Sequence, residues 1–219
     1  MAKKFGETAG EAKRRELDFY NFKMGENRLR LVGGILPRYT YWRKPNIEGV
    51  GQIPIECLSF NRDKEVFDNA DPDVYLEFFP NEKCTWGYLS LALAEDGKLY
   101  VVSHKKKLFG QIEKAAKTLG DPTDPDAGWE VVFTKEKTGP KAYNIEYSLD
   151  VLNCKERPLT DAEKELVDNS PSIDDLFPRP TADELRENIR RAFFSAKDED
   201  GSTDDDAAAE FEEGADKPF

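Results

Sequence analysis

Two stretches of this chain interleave aromatic rings with cations. Arg38-Tyr39-Thr40-Tyr41-Trp42-Arg43-Lys44 sets three rings among three cations within seven positions. Lys83-Cys84-Thr85-Trp86-Gly87-Tyr88 leads into a hairpin whose far end is His104-Lys105-Lys106-Lys107. Single-stranded nucleic acid is held by such combinations: bases stack on exposed rings for about 1–3 kcal/mol each, and cations follow the phosphates. Core packing is the competing use of the same rings. Alternation along a strand puts Trp86 and Tyr88 on one face, so both are buried or both are binding candidates. For Tyr39, Tyr41 and Trp42 the pattern leaves exposure and burial open. Lys105, Lys106 and Lys107, three in a row where a strand gives way to a helix, favour phosphate contact over a merely solvated face.

Other chemistry finds few parts. The sole histidine, His104, stands in no nucleophile–base motif, and neither a Walker A nor a dinucleotide-binding glycine pattern occurs. ATPase, dehydrogenase and hydrolase readings are weakened accordingly, and no enzyme activity or cofactor is expected. Cys57 and Cys84 are isolated, so the paired ligands of a zinc site are missing. Asp121, Asp124 and Asp126 lack the ligand spacing of a calcium loop and read as a turn.

From Arg28 onward short runs rich in branched and aromatic residues are punctuated by Gly, Pro, Asn and Asp. They predict strands near 28–36, 39–43, 53–60, 74–79, 86–94, 98–104, 129–135 and 143–151. Asp96-Gly97 supplies the positive φ angles of a tight hairpin, and Gly33-Gly34 inside a strand marks a bulge or bend, as where a sheet curls into a barrel. One helix, Lys107 to Leu119, carries an apolar stripe of Leu108, Ile112, Ala115, Ala116 and Leu119 and stops at Gly120. Beyond Pro158 the chain turns helical, with capping boxes at Thr160/Glu163 and Thr181/Glu184 and an amphipathic face of Leu185, Ile189 and Phe193. The fold class expected is mainly β: an OB-fold-like β-barrel with one internal helix, small C-terminal helices and a disordered acidic tail.

Charge separates the parts. Residues 1–157 carry 25 acidic and 25 basic side chains, 158–195 carry 9 and 5, and 196–219 carry 10 and 2, so the net charge of −12 belongs to the C-terminal third. A neutral body can own a basic face, and the acidic sum does not exclude DNA. Residues 197–219 repel themselves and stay solvated, with Pro218-Phe219 as an aromatic point on an acidic line. Such a tail competes with nucleic acid for a basic groove and offers Asp216, Pro218 and Phe219 to partner proteins. No apolar run is long enough to span a bilayer and the start lacks a signal-peptide segment, so a cytoplasmic protein with reduced Cys57, Cys84 and Cys154 is expected. The expected units are an N-terminal arm (1–26), a core (27–157), a helical extension (158–196) and the tail (197–219).

Residues 83–149 resemble the helix-destabilising single-stranded DNA-binding proteins of tailed phages. The match runs through Lys83-Cys84-Thr85-Trp86, Gly97-Lys98-Leu99-Tyr100, Lys105-Lys106-Lys107, Ile112, Trp129-Glu130-Val131-Val132-Phe133, Lys135, Tyr143 and Tyr147, with Asn27-Arg28-Leu29-Arg30-Leu31-Val32 as an opening strand. It covers about half of the chain, in spacing and residue class. The resemblance implies an OB-fold core, a basic aromatic-lined cleft for single strands, an arm for self-association on DNA, and a tail that recruits replication and recombination proteins. It adds Arg28, Arg30, Lys135 and Tyr143 to the DNA-binding candidates. Two departures stand out: the family's zinc ligands are absent between Gly49 and Lys83, which predicts a metal-free variant, and Asp216-Lys217-Pro218-Phe219 is similar to the acidic Pro-Phe ending of bacterial single-stranded DNA-binding proteins. The reading is a non-enzymatic protein that coats single-stranded DNA in phage replication, recombination and repair. The alternative is an acidic interaction module or DNA mimic aimed at a host DNA-binding protein.

Overall fold

A computed structural model describes residues 17–141 and 144–194. The segment 197–219, Tyr143 and most of the expected N-terminal arm lie outside the described residues. The organising element is one long strand, β1 (Gly25–Arg43). It absorbs both of the strands expected at 28–36 and 39–43, because Pro37 and the Gly33-Gly34 pair bend the ladder without ending it. The register between β1 and β5 (Thr85–Ala94) shifts between Val32 and Ile35, and Gly33 takes φ +66°, a left-handed value that glycine adopts at no steric cost.

That bend lets β1 serve two neighbourhoods. Its N-terminal half pairs with β7 (Glu130–Lys137), its C-terminal half with β2 (Ile53–Glu56), and β5 runs beside both halves. β6 (Leu99–Ser103) completes the Asp96-Gly97 hairpin, and β8 (Ile145–Leu149) pairs with β7. The antiparallel sheet reads β6-β5-β1-β7-β8, with β2 added on β1. A β1-β5-β6 meander, a helix, then a β7-β8 hairpin returning to β1 is consistent with an OB-like barrel.

The helix is α2 (Lys106–Leu119), which runs from β6 toward β7. Among the described residues no ladder joins the two edge strands, and each edge is covered in its own way. Gln111 on α2 donates through its side-chain amide to the Tyr147 carbonyl (3.2 Å) and accepts from the Leu149 N–H (2.7 Å), covering β8. Residues 18–20 lie along β6, with Val101 N–H donating to the Asp18 carbonyl and Tyr20 N–H to the Val101 carbonyl, both at 2.9 Å.

Each face of this sheet has its own core. Inside, Leu29, Leu31, Ala92, Val102, Val131 and Phe133 meet Leu108, Ile112 and Ala115 of α2. Outside, Leu89, Leu91, Leu93, Val32, Leu36 and Val101 are covered by Leu159 and Ile173 of the C-terminal extension, with Val167, Leu176 and Phe177 at the margin. The extension is built of α3 (Asp161–Asp168), α4 (Ile173–Leu176) and α5 (Ala182–Phe193). Each starts at a capping box: the two expected from Thr160 and Thr181, and a third from Ser172 with Asp175.

The segment between β2 and β5 differs from expectation. A short β3/β4 hairpin (Phe60–Asn61, Val66–Phe67) precedes α1 (Val74–Phe78), where the sequence predicts a strand at 74–79. Alternating Val74, Leu76 and Phe78 give a strand-like period, but the adjacent Val74 and Tyr75 are both fully buried, which a strand with one dry face does not allow. Their burial comes from Leu185, Ile189 and Phe193 of α5, a partner more than 100 residues away in sequence.

Candidate nucleic-acid interface

β1 and β5 place Tyr39 opposite Trp86 and Pro37 opposite Tyr88, and directly opposed residues share a face. Trp86 and Tyr88 are stacked, with ring centres 4.5 Å apart and planes 17° apart. Phe109, on the first turn of α2, stands edge-on to both at 5.4 and 4.9 Å. Tyr39 sits between Phe60 (4.7 Å) and Phe67 (4.8 Å) of the β3/β4 hairpin. The result is a row of rings in which Tyr39, Trp86 and Tyr88 are half-buried and Phe67 is exposed. Half-buried rings held among their neighbours offer the partly accessible aromatic surface on which bases stack.

Behind this row the polar groups are fixed. Tyr88 donates its hydroxyl hydrogen bond to Glu65, whose backbone takes φ +53°; burial first, then the Glu65 carboxylate, raises the Tyr88 phenol above its ordinary pKa. His104 is buried, 2.8 Å from Ser90 Oγ through Nε2, and burial lowers its pKa to about 4. It is a neutral structural group next to Phe109.

The cations collect at the start of α2. Lys105 is the residue before the helix, makes no side-chain cap, and is followed by Lys106 and Lys107 with no acid in the first turn. A helix N-terminus carries partial positive charge, so three lysines there oppose the dipole. The other helices of comparable length obey the rule: α3 and α5 open with acids and side-chain caps. Among the described residues only Lys107 of the three has a carboxylate, Glu146 at 3.4 Å. Lys105 lies 5.8 Å from the Phe22 ring, and burial together with Lys135 lowers its pKa. Lys135 donates to the Phe22 carbonyl at 2.8 Å. The His104 N–H donates to the Tyr88 carbonyl, which ties this basic corner to the rings.

Tyr39, Trp86, Tyr88, Lys105, Lys106, Lys107 and Lys135 therefore gather around α2 and the β1/β5 pair, with exposed Lys83 at the start of β5. Other candidates lie elsewhere. Arg30 is 1% exposed and donates to the carbonyls of Arg157 (2.7 Å), Leu31 (2.6 Å), Pro122 (2.5 Å) and Asp124, a clasp rather than a surface contact. Tyr41 is 3% exposed, stacked on Tyr75 at 4.0 Å and donating to Asp73 at 2.7 Å. Arg38 is buried beside Glu56. Trp42 is exposed, but alternation turns it away from Tyr41 and Tyr39. Arg28 pairs with Glu26 and Glu130, Arg43 pairs with Glu82 over the Phe79 ring, and Lys44 is exposed beyond the end of β1. Sequence reasoning missed Phe109, Phe60, Phe67 and Glu65. Phe109 is adjacent to the α2 stripe, while the others belong to a hairpin whose turn chemistry is weak. Among the described residues no three His, Cys, Asp or Glu side chains gather where they could hold a metal ion, and no helix is long and apolar enough to cross a membrane.

An OB-like body with a ring-lined, lysine-rimmed face defines a class of small β proteins. The chain is 31% identical, over 246 aligned positions, to the "Probable ssDNA-binding protein" of Escherichia phage T5, an alignment covering 94% of this chain and 91% of that protein. The chain belongs to the family of that phage protein. No family model and no solved structure matches it.

Proposed function

We propose that the chain binds single-stranded DNA, stacking bases on Trp86, Tyr88, Tyr39 and Phe67 while Lys83, Lys105, Lys106, Lys107 and Lys135 meet phosphates. The observation that carries this reading is kinship, along nearly the whole chain, with a protein named for single-stranded DNA binding. The stacked Trp86–Tyr88 pair beside a lysine run at a helix start with no acid in its first turn supports it in chemistry. In this reading the protein acts in the cytoplasm, coats strands exposed in phage replication, recombination and repair, and does so by binding alone. Residues 1–26 serve self-association on the strand, and the acidic segment 197–219 brings other proteins to it.

Fluorescence titration with single-stranded DNA, duplex and RNA at two salt concentrations tests the reading. Tight, salt-sensitive binding to the single DNA strand is expected, with quenching of Trp86. Trp86→Ala removes one stacking platform, worth about 1–3 kcal/mol, and weakens binding about 5- to 150-fold. Affinity within twofold of the parent, in a variant with unchanged circular dichroism, removes the ring row from the site.

A further inference from the structure

The face of β1 opposite the rings holds an arginine with too few partners. Arg38 is 9% exposed, yet its Nε is buried with no hydrogen-bond partner among the described residues. Its contact with Glu56 is 3.7 Å long, beyond hydrogen-bond distance. Glu56 is itself satisfied by Arg62, which donates to both carboxylate oxygens at 2.7 and 2.5 Å. A third guanidinium, Arg179, lies 3.8 Å from Glu56 and spends its hydrogen bonds on the Leu58 and Phe60 carbonyls and on Asp71. Around one carboxylate, then, three cations converge, and Arg38 is left in excess. Its guanidinium rests 5.6 Å from the Phe177 ring, and burial lowers its pKa. A buried guanidinium with an unpartnered N–H and only a long contact to a shared carboxylate is costly, and natural structures rarely retain one unless a further acceptor is supplied.

Arg38 lines a pocket of about 220 Å³ between β2 and α5. Apart from Arg38, Glu56 and Asn188 its walls are apolar, among them Ile55, Phe177, Leu185 and Ile189. The volume is below the roughly 300–1,000 Å³ of small-molecule sites, and fits one or two residues of a peptide. A bowl of this chemistry takes an aromatic side chain next to a carboxylate.

Such a pair occurs in this chain. In Glu210-Phe211-Glu212-Glu213 a ring is flanked by carboxylates on both sides, in a stretch of ten acidic and two basic residues. Phe211 lies 18 positions beyond Phe193, a residue of the pocket wall, and an extended chain of that length spans up to about 60 Å. Tethering this close gives an effective concentration in the millimolar range, so weak intrinsic affinity suffices. We propose that the pocket is a docking site for the Glu210–Glu213 segment of the same chain, with the Phe211 ring among Ile55, Leu185 and Ile189 and a flanking carboxylate on Arg38. Arg38 and Glu56 face away from the rings while Ile55 stands opposite Tyr41 on the ring side, so the pocket lies at the β2 edge; none of Tyr39, Trp86 and Tyr88 lines it, and docking there leaves them uncovered.

The test reads the pocket and not DNA, which separates its failure from failure of the DNA-binding reading. In the full chain labelled with ¹⁵N, the Arg38 Nε–H, the Asn188 side-chain amide and the Ala192 backbone amide are followed by NMR in the parent, Phe211→Ala and Phe219→Ala. Both substitutions lie outside the described residues, and unchanged circular dichroism and thermal melting of each variant confirm that the fold is retained. Phe211→Ala is expected to shift all three signals and leave the Trp86 indole in place, whereas Phe219→Ala leaves all of them in place. A synthetic Asp206–Asp216 peptide added in excess to the Phe211→Ala chain is expected to restore the parent positions. Pocket signals that ignore Phe211→Ala, or that follow Phe219→Ala equally, overturn the proposal.

Discussion

Replacing Arg30 by methionine separates a structural arginine from a phosphate-binding one. The side chain reaches from β1 to the carbonyls of Pro122 and Asp124 in the loop after α2 and of Arg157 at the entry to the C-terminal extension, as well as to Leu31 beside it. Gly128 lies directly against the guanidinium, where a Cβ would collide with it. Methionine keeps most of the stem volume and removes every donor. Hydrogen bonds from a charged donor contribute about 1.5–3 kcal/mol each, so four at the lower end total about 6 kcal/mol. Relief from burying a guanidinium offsets part of this, itself several kcal/mol, which leaves a net loss of about 2–4 kcal/mol. For a chain of this size that is a drop in melting temperature of about 4–16 °C. Urea unfolding followed by tryptophan fluorescence reads the change, because Trp129 is buried next to this clasp and donates to the Gly120 carbonyl. Affinity for single-stranded DNA under native conditions should stay within twofold. A stability loss below about 1 kcal/mol, together with a tenfold weaker affinity, would refute the clasp and return Arg30 to the phosphate contacts.

Three further outcomes follow from the same geometry. His104 is held neutral with its pKa near 4, so as pH falls below the unfolded value of 6.5 the unfolded chain takes up the proton first; up to about 3 kcal/mol of stability, fully present above pH 6.5, is lost by pH 4, and His104→Gln should flatten the urea midpoint across that window. Joint Lys105→Ala and Lys106→Ala should reduce the salt slope of single-strand binding by about 1–1.5, at roughly 0.7 per phosphate, while thermal stability holds or rises because charge opposing the α2 dipole is gone; an unchanged slope places the phosphates elsewhere. Ending the chain at residue 157 should yield insoluble protein, because it uncovers Leu89, Leu91 and Leu93; a soluble, cooperatively folded 1–157 would show that α3 and α4 are dispensable.

The parts of the fold legible in the sequence were those set by local chemistry. Asp96-Gly97 made a hairpin, Gly33-Gly34 a bulge, Gly120 ended α2, and Thr160 and Thr181 began helices. What was not legible depended on distant partners. Val74–Phe78 became a helix because α5 buries Val74 and Tyr75 together, and Tyr41 left the surface because Tyr75 stacks on it. The candidate site divided in the same way. Trp86 and Tyr88 share a face as alternation requires, and the lysine run marks a helix start. Arg30 and Arg38 depend on distant partners: charge in a strand reads as a surface contact until the carbonyls and the carboxylate beside it are known, and those come from residues 56, 122, 124 and 157.

The two faces of the β1–β5–β6 sheet explain why the rings sit where they do. Its outer face is a row of leucines and valines that would aggregate if bare, and the C-terminal extension covers it. The inner face closes over α2, but only as far as Leu31 and Ala92; past the Gly33-Gly34 bend β1 and β5 run on together beyond the inner core. There the inward-facing positions Pro37, Tyr39, Trp86 and Tyr88 lie beside a second core built on Tyr41, Ile55, Phe60 and α5, and stay half-buried, Tyr39 against the β3/β4 hairpin and Tyr88 against Phe109. Aromatic residues suit a position that is neither dry nor wet, since a ring gains from partial burial and still offers a face. The extension thus bears on the rings indirectly: by covering the outer face it leaves this partly covered stretch as the aromatic surface that the proposed binding would use.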